Sequence, residues 1–313
     1  MSELKYIFGP VPSRRLGRSL GINVVPSKIC SLDCLYCEVG KTKALTMERK
    51  PYYKADKIIQ ELSSNIHNFD NMFDVVTITG AGEPTLNSQL HDILKRVKEV
   101  TNKPVAILTN TTTIYMDDVY NTLLDFDIVV PSLDGAEISA FEKINLPEKS
   151  IELNKIINSL TKFSHEYKGK LFVEILFCKN INDSHENISE LVTVLKNIKA
   201  DKVQLGTIHR PPSYKDTVGV DDEFLLETAK YFIKNNIKAE VCSGFNQVYS
   251  NSKSLLLIDL IPSLLKMRPC TIMDMAGVFG KDIYEIEKTL NILLEKNIIT
   301  KEVYNNDTYF KKA

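Results

Sequence analysis

Three cysteines crowd into one short stretch of this chain. Cys30, Cys34 and Cys37 stand in the spacing Cys-x3-Cys-x2-Cys within Ile29–Gly40. Thiolates are soft ligands, and three of them can hold three irons of a [4Fe–4S] cluster while leaving the fourth iron open. A closed structural zinc site would want a fourth ligand nearby. None of the five histidines, and no other cysteine, is close in sequence. Two blander readings of the same residues stay open: small buried hydrophobes, or a zinc knuckle that recruits a distant ligand.

Further polar residues stand where apolar runs end. The run Thr79-Gly80-Ala81-Gly82-Glu83-Pro84-Thr85 follows a strand-like segment, and its glycines let backbone approach a ligand closely. Its free backbone groups are therefore expected to face the site. A dinucleotide fingerprint would need a third glycine that is missing, and a purely structural turn is the alternative. Asn110, Ser132 and Asp134 end two later strand-like runs, and Glu174 sits inside a third. Ligand binding competes there with capping and turn formation. Near the N-terminus, Phe8–Arg18 places Arg14, Arg15 and Arg18 together, in a first fifty residues with nine Lys or Arg against four Asp or Glu. Arginine forks suit phosphate and carboxylate, so these three and Arg210, in Thr207–Pro212, are candidates for contacting substrate. A solvated charged face and a rigid proline turn are the alternatives.

Strand-then-helix alternation must position these groups. Candidate strands are Gly21–Val25, Val75–Gly80, Val105–Asn110, Ile128–Leu133, Leu171–Phe177 and Lys202–Thr207. Helical periodicity falls between them, over Lys54–Ile66, Asn87–Val100, Asp117–Phe126, Ser150–Phe163, Glu186–Ile198 and Asp222–Asn235. This order implies an α/β fold with a parallel sheet and right-handed crossovers. Periodicity alone does not choose between a doubly wound sheet and an open six-unit barrel. The cysteines follow the first strand, at the sheet mouth where α/β folds place active sites.

The pattern changes after about Gly244. Leu255–Leu265, Thr271–Val278 and Asp282–Lys296 read as helices, and Ile298–Tyr304 and Thr308–Lys312 as a hairpin around Asn305-Asn306-Asp307. The expectation is a core domain over residues 1–250 and a small winged-helix-like domain over 254–313. The helix that would read DNA carries Asp282, Glu285, Glu287 and Glu295 against Lys288 and Lys296, a balance that a phosphate backbone repels. A capping or protein-contacting role is expected instead, and DNA is not.

At 313 residues, with 43% hydrophobic and 25% charged residues, the chain has ordinary globular composition, and a net charge of −1 gives no global pull to nucleic acid or membrane. No run approaches the roughly 18 apolar residues of a membrane span, and no apolar signal core stands at the N-terminus. Crowded cysteines suit ligation in a reducing compartment, so the chain reads as cytoplasmic.

The cysteine spacing, with Tyr36 before the last cysteine, resembles the signature of the radical S-adenosylmethionine (SAM) superfamily. Gly-Pro-Val-Pro-Ser-Arg-Arg-Leu-Gly at 9–17, Gly-Glu-Pro-Thr at 82–85 and Arg-Pro-Pro at 210–212 extend the likeness to iron–sulfur oxidoreductases related to the tRNA wyosine synthases. The resemblance implies a partial (β/α)6 TIM-like barrel, a [4Fe–4S] cluster on Cys30, Cys34 and Cys37, and SAM on its open iron. It assigns SAM contacts to Tyr36, Gly82, Glu83, Asn110, Ser132 and Asp134. The chemistry implied is reductive cleavage of SAM to a 5′-deoxyadenosyl radical that abstracts hydrogen from RNA, protein or a small molecule. A reductant such as flavodoxin or ferredoxin is implied as partner. No cysteine precedes Cys30, whereas archaeal wyosine synthases carry extra N-terminal cysteines, so a different substrate is expected. Cys178 reads as core, and Cys242 and Cys270 lack ligand-like spacing. Two other readings are an activase that installs a glycyl radical on a partner protein, and a metal-sensing winged-helix regulator.

Overall fold

The computed structural model describes residues 4–13, 16–69, 72–242 and 257–313. Arg14, Arg15 and the expected domain boundary near 250–254 lie outside the described residues. An eight-stranded sheet organises the chain. Its strands are β1 (Ile7–Ser13), β2 (Gly17–Asn23), β5 (Val75–Thr79), β6 (Val105–Thr109), β7 (Ile128–Pro131), β8 (Lys170–Phe177), β9 (Lys202–Thr207) and β10 (Ala239–Val241). Two short strands, β3 (Ile29–Cys30) and β4 (Ala44–Leu45), pair separately beside the mouth.

Strand order settles the question that periodicity left open. The sheet runs β1-β2-β5-β6-β7-β8-β9-β10, so chain order never reverses. A doubly wound sheet reverses at a switch point. All strands from β2 to β10 are parallel, and only β1 pairs antiparallel. Right-handed crossovers in one direction place the connecting helices on one face, leaving the other face to line a cavity.

The two faces can be read along β8. Leu171, Val173, Ile175 and Phe177 are buried, while Phe172, Glu174 and Leu176 between them are half-buried. The period-2 pleat thus sends Glu174 to the face opposite the apolar set. On the covered face, α1 (Ala55–Asn65) buries Ala55, Ile58, Ile59 and Leu62, and α2 (Leu90–Val100) buries Leu90, Ile93, Leu94 and Val97. These are the stripes expected from 3.6-residue periodicity. Helices α3 (Asp117–Leu124), α4 (Ile138–Asn145), α5 (Leu153–Glu166), α6 (His185–Leu195) and α7 (Asp222–Lys234) complete the series.

Strands β1 and β10 and helix α4 were not expected from sequence. In β1, Gly9, Pro10 and Pro12 mimic a loop, but a missing N–H is tolerated on an edge strand. Glu61 of α1 secures that edge by accepting the backbone N–H groups of Lys5 (3.0 Å), Tyr6 (2.7 Å) and Ile7 (2.8 Å). Glu61→Ala should therefore lower stability by about 2 kcal/mol in urea unfolding, since hydrogen bonds to a charged group are worth roughly 1.5–3 kcal/mol. Limited proteolysis should then cut first at the N-terminal strand.

The C-terminal elements are α8 (Leu257–Leu265), α9 (Ile272–Phe279), α10 (Ile283–Glu295) and the hairpin of β11 (Ile299–Tyr304) and β12 (Asp307–Lys312). Thr271 caps α9 through a reciprocal bond with Asp274, and left-handed Gly280 ends it. Asn305 and Asn306 take positive φ, and Tyr304 pairs with Asp307, giving a two-residue turn. This unit packs on β1; just before that strand the Leu4 carbonyl accepts the Ser263 hydroxyl (2.8 Å), and Leu260, Ile261 and Leu264 join the main core. No helix among the described residues is long and apolar enough to cross a membrane.

Candidate functional site

A cavity of about 350 Å³ opens where the parallel strands end, and Cys30, Cys34 and Cys37 all line it. The loop that carries them is held from three sides. On one side the Gly80–Glu83 turn lies against it: the Lys28 N–H donates to the Ala81 carbonyl (2.7 Å) and the Glu83 N–H to the Ile29 carbonyl (3.1 Å). The Ala81 carbonyl and the Glu83 N–H are thus taken by the loop, while Gly80, Gly82 and Glu83 all line the cavity. A Cβ on Gly82 would overlap the Ile29 carbonyl, so glycine serves the close approach of two backbone segments. From a second side, the end of α4 accepts the Leu35 N–H (2.9 Å) at the Ile144 carbonyl and the Asp33 N–H (3.0 Å) at the Asn145 carbonyl. On the third, Ser213 donates to the Cys34 carbonyl (2.8 Å) and Tyr214 to the Asp33 carboxylate (2.7 Å).

Each cysteine meets a different sector of the sheet. The Asn110 amide, at the end of β6, donates to the Cys30 sulfur (3.4 Å) and the Ser31 hydroxyl (2.9 Å). The Asn145 amide donates to the Cys34 sulfur (3.3 Å) and to Asp134 (2.9 Å). Glu38, next to Cys37, pairs with Arg210 beyond β9 (3.2 Å). Water-sized molecules reach the thiols through the cavity, yet protein rings them. Burial therefore pushes all three upward, Cys30 to about 12, and neighbouring carboxylates (Glu83 at Cys30, Asp134 at Cys34) add to the rise.

The carboxylates expected to meet SAM are already engaged. Glu83 accepts the Thr85 N–H (3.0 Å) and the hydroxyls of Thr85 (2.6 Å) and Thr109 (2.7 Å) on one oxygen, and the Asn110 N–H (2.7 Å) on the other. Burial raises its pKa, and these donors oppose the rise. Asp134 accepts from the Tyr36 hydroxyl (2.5 Å), the Asn145 amide and the Leu176 N–H (2.9 Å), with burial again lifting its pKa against those donors. Asp134 thus ties Asn145 and β8 to Tyr36 of the cysteine loop. Ser132 lines the cavity, bridged to Glu174.

The arginines divide. Arg18 lies near the start of β2, the end of the sheet away from the mouth, and grips Asp74 in a two-pronged pair (2.7 and 3.0 Å). Arg18 itself is not among the cavity-lining residues, although Leu16 and Ser19 on either side of it are. Arg210 is in the lining but only 3% exposed, between Glu38 (3.2 Å) and Asp274 of α9 (3.7 Å). Burial would lower its pKa, but Glu38, Cys270 and Asp274 outweigh that and raise it. It clamps the cysteine loop to the C-terminal unit. Sequence reasoning missed Asn145, because α4 is short and is capped by Glu137, which gives a weaker start signal than Ser or Asp.

The donor set fits a cluster. Three sulfurs stand around one cavity, two of them accepting amide hydrogen bonds. A cluster meets each thiolate at its own iron. Cys178 and Cys270 are fully buried in the core, and Cys242 follows β10, its N–H donating to the Leu205 carbonyl (2.8 Å).

A singly wound sheet with three thiols at its mouth defines a class of iron–sulfur enzymes. The radical SAM superfamily model matches residues 24–192, and the chain belongs to that superfamily of enzymes, which binds a [4Fe–4S] cluster and SAM. A UPF0026 protein of Helicobacter pylori (strain ATCC 700392 / 26695) is 33% identical over 308 residues, covering 97% of this chain and 96% of its own. A Brachyspira hyodysenteriae protein named GTPase Obg is 35% identical over 304 residues; the match takes in 97% of this chain but only 44% of that longer protein. This chain has no Gly-x4-Gly-Lys-Ser/Thr phosphate loop. A radical SAM methyltransferase from Sphaerobacter thermophilus shares the fold, with TM-score 0.55 and 16% identity over 71% of this chain and 66% of that one.

Proposed function

We propose that Cys30, Cys34 and Cys37 hold a [4Fe–4S] cluster, and that SAM lies along the ends of β5 to β8 against Tyr36, Gly82, Glu83, Asn110, Ser132 and Asp134. When bound, the two supply reductive cleavage of SAM and a 5′-deoxyadenosyl radical that takes hydrogen from the substrate. The observation that carries this reading is the shared cavity, lined by the three cysteines and by the polar strand ends together. The protein's own residues position and insulate. Glu83 fixes the ends of β5 and β6 relative to each other. Asn110 and Asn145 direct amide N–H groups at two sulfurs. The sheet is read as a partial (β/α)6 barrel. Residues 254–313 are read as a winged-helix-like unit that caps its mouth, since Met267 and Arg268 reach the cavity.

Anaerobic reconstitution with iron and sulfide, then incubation with SAM and dithionite, tests the reading. 5′-Deoxyadenosine should form in proportion to cluster content. Four irons per chain with no cleavage under any reductant would overturn it.

Amide hydrogen bonds to cluster ligands stabilise the more negative, reduced state. Asn145→Leu removes one at Cys34. A bond worth about 1 kcal/mol corresponds to roughly 45 mV for one electron. The midpoint potential, followed by electron paramagnetic resonance, should fall by about that amount while iron content holds.

A further inference from the structure

The cysteine loop has an outer face as well as the one that lines the cavity. Residues 40–46 fold back over it. The Lys43 and Ala44 N–H groups donate to the Lys28 carbonyl (3.0 Å each), and the Thr46 N–H donates to the Cys30 carbonyl (2.9 Å). Strand β4 therefore lies one strand spacing, about 4.8 Å, from the backbone of Cys30. Its two residues, Ala44 and Leu45, are exposed, Leu45 by 44%. Lysines surround them. The Lys28 ammonium lies over Gly40, whose N–H donates to the Cys37 carbonyl (3.1 Å). Lys41 and Lys43 are exposed, and Lys41 sits over the Tyr214 ring, 3.9 Å from its centre. Burial lowers the Lys28 pKa; Cys37 and Asp33 oppose that and Lys43 and Lys311 add to it, so all of these lie within reach of its charge.

The carboxylates of this face have partners of their own. Asp33 accepts from the Tyr214 hydroxyl (2.7 Å) and the Thr42 N–H (2.6 Å), Glu302 pairs with Lys311 (2.6 Å), and Glu48 pairs with Lys50 (2.9 Å). Glu38 turns inward to Arg210 (3.2 Å) and lines the cavity. Lys28, Lys41, Lys43 and Leu45 do not line it. The result is a small apolar centre ringed by ammonium groups, directly behind a cluster ligand and clear of the space given to SAM. Electron-transfer encounters use small contacts of this kind, and complementary charge steers them.

We propose that the face formed by β4 with Lys28, Lys41 and Lys43 is the docking site of a small acidic electron-carrier protein. The inference rests on the radical SAM reading, which requires an electron from outside. The carrier's reduced flavin or iron–sulfur centre gives up one electron across β4, and the cluster held by Cys30, Cys34 and Cys37 gains it. No bond is made or broken.

The test uses the reconstituted full chain and, as probe, a purified flavodoxin of net negative charge. Titration calorimetry at low ionic strength should show binding that weakens as salt is raised. A Lys41→Glu/Lys43→Glu double variant should bind at least tenfold more weakly. Lys41→Arg/Lys43→Arg should bind like wild type, and so should Lys95→Glu, which reverses an exposed charge on α2. In stopped-flow, reduction of the cluster by the flavodoxin should slow at least tenfold in the Glu double variant. Its 5′-deoxyadenosine yield with dithionite, which needs no docking surface, should match wild type. No binding, or equal affinity in wild type and the Glu double variant, overturns the proposal. So does a variant that keeps flavodoxin but loses affinity for bulk tRNA, which would assign the lysines to nucleic acid. Dithionite keeps the two readings apart. Cleavage of SAM with dithionite alongside a negative flavodoxin result means that the surface alone is misassigned. No cleavage with dithionite in wild type means that the radical reading fails, and this one with it.

Discussion

Cys34→Ala protein, reconstituted anaerobically, should lose its four-iron absorbance and form 5′-deoxyadenosine from SAM and dithionite only at background. The sulfur lines the cavity and accepts the Asn145 amide (3.3 Å). Its surroundings push the thiol well above its ordinary range, so it holds its proton until a metal replaces it. Removing one of three ligands leaves a cluster with two attachments and a second exposed iron. Folding should survive, because deleting one small half-buried side chain costs about 1 kcal/mol. Cys178→Ala supplies the contrast. Cys178 is fully buried, outside the cavity lining, and packs with Ile144 and Ile208. That variant should lose about 1–2 kcal/mol of stability and keep its iron. Full iron and SAM cleavage in Cys34→Ala would contradict the ligand assignment.

Gly82→Ala is the second large effect. One added methyl group would overlap the Ile29 carbonyl, which is backbone and cannot swing aside. The Glu83 N–H bond to that carbonyl (3.1 Å) must then break or stretch. Displacing Glu83 disturbs its acceptance of Thr109 and Asn110, and with them the amide that reaches Cys30. The expected cost is about 3 kcal/mol, in the range of overpacked sites, seen as a lower urea midpoint. SAM affinity, measured by calorimetry on the reconstituted protein, should fall at least tenfold. Gly277→Ala is the control, because a Cβ there meets nothing within 4 Å. A Gly82→Ala protein as stable as wild type would show that the loop yields more easily than its geometry implies.

Much of this protein is legible in its sequence because the signals are local. Three sulfurs in one short loop restrict what they can ligate whatever the rest of the chain does. The stripes on α1 and α2 follow from residue spacing alone, and so does the Asn305-Asn306 turn. The disguised elements are those whose role depends on neighbours. Strand β1 is stable because it sits at an edge beside β2 and accepts help from Glu61, and its prolines hide that. Helix α4 is too short to announce itself, yet its end supplies both the carbonyls and the amide that hold Cys34.

The strand–helix alternation and the superfamily can be read from residue order alone. Folding adds that the sheet winds in one direction, that Asp134 and Glu83 are network hubs, and that Arg18 pairs with Asp74. It also decided that Arg210 joins the cysteine loop to α9. The physical reason is distance along the chain. Hydrogen-bond partners such as Cys34 and Asn145, or Glu38 and Arg210, lie 111 and 172 residues apart. No local pattern encodes such a pairing until the backbone has folded and brought the two groups out of water together.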